Sequence, residues 1–158
     1  MKEEASIRNC RFLNSKERKE ILGRVKDNWE AELEDNLVFL MNNQNRIFVV
    51  SRDVEKIDLS QIRVNNVGLY FGEITERDEL RLSIEGSSIV GRLAKKNIVE
   101  LDDGQSRRWF AGEDIEIEDE RNGFMIVKFK EDFLGCGKLA RGKLYNFVPK
   151  ARRIEAMI

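Results

Sequence analysis

In one early stretch of the chain, the apolar residues recur at the spacing of a helix and not at that of a strand. From residue 15 to residue 29, one apolar stripe repeats at helical spacing and contains Ile21, Leu22, Val25 and Trp29. Asn14 or Ser15 stands just before the stripe and can accept hydrogen bonds from the free N–H groups of a first turn. The pattern therefore predicts one α-helix that ends near Trp29.

Shorter apolar or alternating runs follow, and these are typical of strands. They cover residues 37–41, 46–50, 67–74 and 80–84. A polar stretch, residues 42–45, joins the first two runs and predicts an antiparallel hairpin. Two helices are also predicted here, a short one over residues 52–57 and another over residues 87–94. The front of the chain is thus expected to be mixed α/β.

After Lys95 and Lys96, the pattern changes to a series of short strands with glycine turns. Strands are predicted over residues 97–101, 115–120 and 124–130, with a short helix over residues 105–111. Asn122 and Gly123 predict a hairpin turn between the last two strands, because Asn-Gly adopts the positive φ that such turns need. Met125, Val127 and Phe129 would form the core face. We expect an α+β protein with two domains, residues 1–94 and a small β-barrel over residues 95–158.

Composition excludes several classes of function. The 158 residues include no histidine and only two cysteines, Cys10 and Cys136, so Ser-His and Cys-His nucleophile pairs and a zinc site are disfavoured. No apolar run approaches the roughly 20 residues that span a bilayer, and the first residues lack a secretory signal. We therefore expect a cytoplasmic protein without a cofactor, a metal site or a membrane partner.

Charge is nearly balanced in total but unevenly placed. Residues 113–120 hold six acidic side chains, and residues 138–153 hold six basic ones and no acidic one. Such a cationic segment attracts a polyanion, so we predict RNA contacts. The candidates in this segment, with two weaker ones on the predicted helix, are Lys138, Arg141, Lys143, Lys150, Arg152, Arg153, Arg107 and Arg108.

Each of these assignments has a plainer alternative. The basic residues of the tail could only keep a strand edge soluble, and Arg107 and Arg108 could pair with the acidic run instead of holding a phosphate at a helix N-terminus. The acidic run favours a solvated strand face over a metal site. Tyr145 or Phe147 could stack on an unpaired base, or their face of the strand could be core.

Several segments together resemble one known family. Gly112–Glu120 resembles the Gly-Asp-x-Val-x-Val-x-Asp-Glu signature of PUA domains, with one extra residue after the glycine. Asp132–Gly137 resembles the Pro-Leu-Gly-Phe-Gly segment of the NIP-seven family of ribosome biogenesis factors. Arg46–Ser51 and Gly68–Thr75 are similar to two further motifs of that family, as are Leu80–Leu82 and the Gln105-Ser106 pair.

This resemblance implies a pre-PUA domain followed by a PUA-like pseudobarrel, in an archaeal member of the family. It implies a non-catalytic RNA-binding adaptor in large-subunit ribosome biogenesis and rRNA processing, whose partners are rRNA or pre-rRNA and, through the N-terminal domain, assembly proteins. Two other hypotheses stay open. The chain could be a PUA-containing RNA-modification enzyme or its targeting subunit, or it could be a protein–protein module without an RNA role.

Overall fold

The first part of the fold is an antiparallel sheet with one helix. The computed structural model describes residues 10–34, 36–51 and 68–154. The first sheet has the order β1-β2-β3-β4-β5 and consists of Arg11–Phe12 (β1), Leu37–Met41 (β2), Arg46–Ser51 (β3), Leu69–Ile74 (β4) and Leu80–Leu82 (β5). Helix α1, Ser15–Trp29, buries Ile21, Val25 and Trp29. The predicted helix and the β2–β3 hairpin are confirmed.

Local hydrogen bonds account for the start of α1. The Asn14 side chain accepts from the Glu17 N–H at 2.9 Å, and the Glu17 carboxylate accepts from the Asn14 N–H at 3.1 Å. This reciprocal capping box satisfies two backbone donors that would otherwise lack partners. Arg11 adds an ion pair to Glu17 at 2.7 Å and so ties β1 to the first turn.

The second sheet contains residues from 98 to 145 and is compatible with a PUA-like pseudobarrel. Its order is β6-β8-β9-β10-β7, from Ile98–Glu100 (β6), Ile115–Glu116 (β7), Gly123–Phe129 (β8), Asp132–Ala140 (β9) and Lys143–Tyr145 (β10). Strand β6 runs parallel to β8, and the other neighbours are antiparallel. Helices α2, Ile84–Gly91, and α3, Asp103–Phe110, flank it, and a 3₁₀ helix, Lys150–Arg152, follows β10.

Strand β8 separates two apolar clusters. Met125 and Val127 are fully buried among residues of the second half, as the predicted core face requires. Phe124 and Ile126 are also buried, because they point the other way into a cluster that includes Trp29 and residues of the first sheet. The two halves of the chain therefore share the cluster that contains Trp29, Phe124 and Ile126, and the division at residues 94 and 95 stays a prediction.

The predicted hairpin at Asn122 and Gly123 is wrong. Strand β7 pairs with β10, where Glu116 faces Lys143, and β8 pairs with β9 instead. In the second sheet, hairpins are closed by the turns Lys130–Glu131 and Arg141–Gly142. Arg141 and Gly142 have φ of 52° and 75°, the two positive values that a type I′ turn needs.

Two other boundaries also differ from prediction. Helix α2 begins at Ile84 rather than Ser87, because Ser83 caps it and accepts from the Gly86 N–H at 2.9 Å. Leu93, predicted to face inward, lies beyond the helix and is 41% exposed. The helix predicted over residues 52–57 lies outside the described residues. Within the described ranges, every helix is too short or too polar to cross a membrane.

Candidate nucleic-acid interface

The aromatic side chains after β9 lie at the protein surface. Leu144 is fully buried and Val148 is 4% exposed, whereas Tyr145 and Phe147 are 41% and 38% exposed. Alternation along an extended chain turns these two pairs to opposite sides. The alternative that Tyr145 and Phe147 occupy a core face is therefore wrong, and both rings are open to a ligand.

Asn146 fixes the segment that carries Phe147. Its Nδ2 donates to the carbonyl oxygens of Trp109 and Glu113 at 2.8 and 2.9 Å, and its Oδ1 accepts from the Val148 N–H at 2.7 Å. Its backbone N–H donates to Asp114 Oδ1 at 2.8 Å. The Asn146 side chain thus joins the segment that follows β10 to the end of α3.

Arg153 also has a structural role. Its Nε donates to the Val148 carbonyl oxygen at 3.1 Å, and Ile154 N–H bonds the Phe110 carbonyl oxygen at 2.8 Å. The Arg153 side chain lies over Gly112, where an added Cβ would be 2.5 Å from Nε. Gly112 also has φ of 91°, so glycine suits this position because it has no Cβ to clash with Arg153 and because it adopts a positive φ without strain.

Most of the predicted RNA-binding cations are paired with carboxylates. The pairs are Lys138–Glu79 at 2.9 Å, Lys143–Asp114 at 3.9 Å, Arg107–Asp103 at 2.8 Å, Arg108–Glu113 at 3.4 Å, and Arg152–Glu85. Arg141 and Lys150 have no ion pair with any carboxylate of the described residues. Exposed ion pairs contribute only about 0–1 kcal/mol, so a phosphate can replace the carboxylate at small cost.

The N-terminus of α3, where a phosphate site is predicted, is capped by side chains of the chain itself. Asp102 occupies this end of the helix and accepts from the Gln105 N–H at 2.8 Å, while the Gln105 side chain accepts from the Asp102 N–H at 2.9 Å. The Asp102 carboxylate already satisfies one of the donors that a phosphate would need, and it would repel a second anion, so this position disfavours a phosphate. The acidic residues also do not gather for a cation: among the residues described, no three potential metal-ligating side chains are grouped to hold a metal.

A groove lies between the first sheet and the β9–β10 end of the second sheet. We call it the inter-sheet groove. It consists of two adjoining depressions of about 970 and 530 Å³ that share Glu73, Arg81 and Phe147. Both Tyr145 and Lys138 line the larger depression, and Tyr70 and Arg152 line the smaller one. Arg141 lies elsewhere, beside Glu118, Asp119 and Glu120.

Cations and rings contact one another along this groove. The Arg81 guanidinium lies 4.5 Å from the centre of the Phe147 ring and pairs with Glu73. The Phe147 ring lies 6.0 Å from Phe124, and the Lys138 ammonium lies 5.1 Å from the centre of the Phe124 ring. Cation–π attraction of about 0.5–2 kcal/mol per contact favours these ring positions.

The first half supplies three groove cations that are not among the predicted RNA-binding residues. These are Arg46, Arg77 and Arg81. The alternation of Leu80, Arg81 and Leu82 is a local signal that places Arg81 on the outer face of a strand. Nothing local indicates that this face meets Phe147, because only the packing of the two sheets brings them together.

Burial favours the neutral forms of the thiol and the phenol that line the smaller depression. Burial raises the pKa of the Cys136 thiol to about 12, so this thiol is protonated at neutral pH. Burial also raises the pKa of Tyr70 above its ordinary value, although Arg46 and Arg81 act in the opposite direction. The lining of the groove therefore suits binding through rings and cations.

The part of the chain that contains the second sheet matches a known family of domains. Residues 96–154 match the family model described as the methyltransferase RsmF PUA domain. This part of the chain is therefore similar to a PUA-like domain of the RsmF type, and the similarity supports an RNA-binding role for it.

Longer relatives match more of the chain. Ribosomal RNA small subunit methyltransferase F of Vibrio vulnificus (strain YJ016) is 23% identical over 116 residues, which cover 73% of this chain and 24% of the relative. The protein of that name from Aeromonas salmonicida (strain A449) is 31% identical over 91 residues, or 57% of this chain and 19% of the relative. That from Aliivibrio fischeri (strain ATCC 700601 / ES114) is 24% identical over 127 residues, covering 77% and 27%. The chain thus spans about a quarter of the length of these curated relatives.

These comparisons correct the expectation that the chain is not an enzyme. The relatives are named as methyltransferases, so an assignment to non-catalytic proteins is wrong. The relatives are bacterial and are named for the small subunit, so they support neither the NIP-seven resemblance nor an archaeal source nor a large-subunit role. The pre-PUA assignment of the front half is not confirmed.

Proposed function

We propose that this chain is the RNA-binding part of an enzyme that methylates ribosomal RNA of the small subunit. The observation that carries the proposal is the match of residues 96–154 to the RsmF PUA domain. Relatives named as small-subunit methyltransferases support the choice of substrate. In this proposal the chain acts in the cytoplasm and supplies affinity for the RNA that is methylated; protein partners of residues 1–94 stay a prediction.

The exposed cations of the second half would provide the electrostatic part of binding. Each phosphate that a lysine or arginine neutralises releases counterions, so affinity falls as salt rises. Arg141 and Lys150 need no exchange of partner, because both are exposed and have no ion pair with a described carboxylate, although Glu118, Asp119 and Glu120 beside Arg141 oppose a phosphate there. Lys138, Lys143, Arg152, Arg107 and Arg108 would exchange a carboxylate for a phosphate. Arg153 would contribute mainly by holding the last segment in place.

Salt-dependent binding tests the RNA-binding part of the proposal. Labelled fragments of small-subunit rRNA are titrated with the chain between about 50 and 200 mM salt, and the logarithm of affinity is expected to fall linearly with the logarithm of salt concentration. The double variant Arg141→Gln, Lys150→Gln should bind more weakly and reduce the slope by about 1 for each lost phosphate contact. Lys16→Gln, Lys19→Gln is the matched control, because it removes two exposed cations from α1.

Methylation in cells tests the enzymatic part. Deleting the coding region of this chain should remove a methylated nucleotide from small-subunit rRNA, and mass spectrometry of digested rRNA would detect the loss. Restoring the chain should restore the methyl group, and the Arg141→Gln, Lys150→Gln variant should restore it only in part. Unchanged methylation after deletion would overturn the enzymatic assignment even if the chain binds RNA.

A further inference from the structure

We propose that the inter-sheet groove binds an unpaired segment of RNA, with bases stacked on Tyr145 and Phe147 and phosphates held by Arg46 and Arg77. This inference rests on the proposed function and adds to it a site and a class of RNA structure. The groove differs from the predicted cationic segment because more than half of its lining residues come from the first half of the chain.

The two rings are the first reason. Phe147 lines both depressions and Tyr145 lines the larger one, and about two fifths of each side chain is exposed. Every nucleobase has a π face, so exposed rings in a groove bind unpaired bases with little dependence on sequence. In an A-form duplex the base faces are stacked on each other, so such rings favour bases that are splayed out of a helix.

The position of the Phe147 ring is determined before a ligand arrives. Arg81 covers one part of it at 4.5 Å, Phe124 packs beside it, and Asn146 anchors the backbone next to it. A side chain held in this way loses little conformational freedom when a base stacks on it. Tyr145 has a similar cation neighbour, Lys143, whose ammonium lies 5.3 Å from the ring centre.

The distribution of charge is the second reason. Five cations and four carboxylates line the two depressions: Arg46, Arg77, Arg81, Lys138 and Arg152, with Glu73, Glu76, Glu79 and Glu85. Three of the carboxylates are paired within the groove, Glu73 with Arg81, Glu79 with Lys138, and Glu85 with Arg152. Glu76 is the remaining carboxylate of the lining, and no described ion pair includes it.

Arg46 and Arg77 are the two cations left for phosphate. Neither forms an ion pair with a carboxylate in the described ranges. Arg46 lines the smaller depression and Arg77 the larger one, while Phe147 lines both. Guanidinium groups bind phosphate oxygens through two parallel N–H donors. A strand that crosses the groove would thus meet a cation, a ring and a second cation in order. The volume of about 970 Å³ in the larger depression is at the upper end of ordinary ligand sites of about 300–1,000 Å³.

Fluorescence anisotropy with two matched RNAs tests the inference. One is a labelled single strand of about ten nucleotides, within the roughly 4–16 nucleotides of known single-strand sites, and the other is the same strand annealed to its complement. The chain should prefer the single strand. Tyr145→Ala and Phe147→Ala should each weaken single-strand binding by about 5- to 150-fold, which corresponds to the loss of one stacked base.

Conservative variants separate stacking from folding. Tyr145→Phe keeps the ring and should bind the single strand as the unchanged chain does, and thermal unfolding should show that each alanine variant is folded. Arg46→Gln, Arg77→Gln should reduce the salt dependence of single-strand binding. Arg141→Gln, Lys150→Gln should weaken single-strand and duplex binding to a similar extent, because those cations lie outside the groove.

The outcomes also separate this inference from the proposed function. Folded alanine variants with unchanged single-strand affinity, or a chain that prefers the duplex, would overturn the groove assignment while rRNA binding still stood. If rRNA fragments do not bind at all, the proposed function fails first, and the groove assignment fails with it.

Discussion

Replacing Asn146 with alanine should release the last segment of the chain from α3. The substitution removes three hydrogen bonds of the side chain: the two from Nδ2 to the carbonyl oxygens of Trp109 and Glu113, and the one from the Val148 N–H to Oδ1. The segment beyond it carries Phe147 and the 3₁₀ helix Lys150–Arg152. Loss of the anchor should therefore affect both stability and RNA binding.

The magnitude follows from the geometry of these bonds. Their donor–acceptor distances are 2.7 to 2.9 Å, and a hydrogen bond of this kind contributes about 1 kcal/mol net. Asn146 is only half-buried, so water can satisfy part of what is lost. We expect the free energy of unfolding to fall by about 2–3 kcal/mol and the midpoint of thermal unfolding to fall by roughly 4–12 °C.

Urea unfolding followed by circular dichroism measures this loss. Asn122→Ala is the control, because the Asn122 side chain is exposed and makes one long bond, 3.4 Å to the Glu120 carbonyl oxygen. It should change the free energy of unfolding by less than about 0.5 kcal/mol. Single-strand RNA affinity should fall with Asn146→Ala and not with the control. A loss below about 1 kcal/mol would refute the reasoning that Asn146 anchors this segment.

Further predictions concern glycine packing, acid stability and thiol reactivity. Gly86→Ala should destabilise the fold by about 3 kcal/mol or more, because the added Cβ would lie 1.9 Å from the Phe71 carbonyl oxygen. Gly23→Ala, within helix α1, should instead stabilise the fold by about 0.5–1 kcal/mol, because the added Cβ would have no atom within 4 Å. Urea unfolding measures the free energy of unfolding of both variants, and equal changes in the two would contradict this packing argument. The hydrogen bond from Arg11, followed by that from the Asn14 N–H, lowers the pKa of Glu17 to about 2 from its ordinary 4.5. The ionised Glu17 therefore contributes its full stabilisation above pH 4.5 and loses it as the pH falls towards 2. Glu17→Gln should flatten the pH dependence of the free energy of unfolding in that window. If the unchanged chain and the variant give parallel curves, the Arg11–Glu17 pair does not stabilise the fold. A Cys10→Ala variant should react slowly with a thiol reagent at neutral pH and rapidly in denaturant, because burial raises the pKa of the remaining Cys136 to about 12; rapid labelling of the folded chain would refute this.

Features with local causes were predictable from the order of residues. Helix α1 was predicted correctly because an apolar stripe and a capping residue lie within one short stretch, and the Asn14 cap is present. The β2–β3 hairpin was predicted for the same reason, with a polar turn between two apolar runs. The buried Met125 and Val127 also follow from alternation within a single strand.

Partners that lie far apart in the chain were not predictable in this way. Asn122 and Gly123 have the local preference for a hairpin, but β7 is only two residues long and pairs with β10. Two of the predicted cations pair with carboxylates from the first half of the chain, Lys138 with Glu79 and Arg152 with Glu85. Turn propensity and charge are properties of short segments, whereas pairing depends on which surfaces the core brings together.

The candidate groove is the clearest case of this distinction. The order of residues indicates that Tyr145 and Phe147 share one side of the chain and that Arg81 points away from its own strand's buried neighbours. Only tertiary structure sets the Arg81 guanidinium 4.5 Å from the Phe147 ring and leaves both rings open. The physical reason is that the shared apolar core, which joins Trp29 and Phe71 to Phe124 and Ile126, fixes the two sheets against each other.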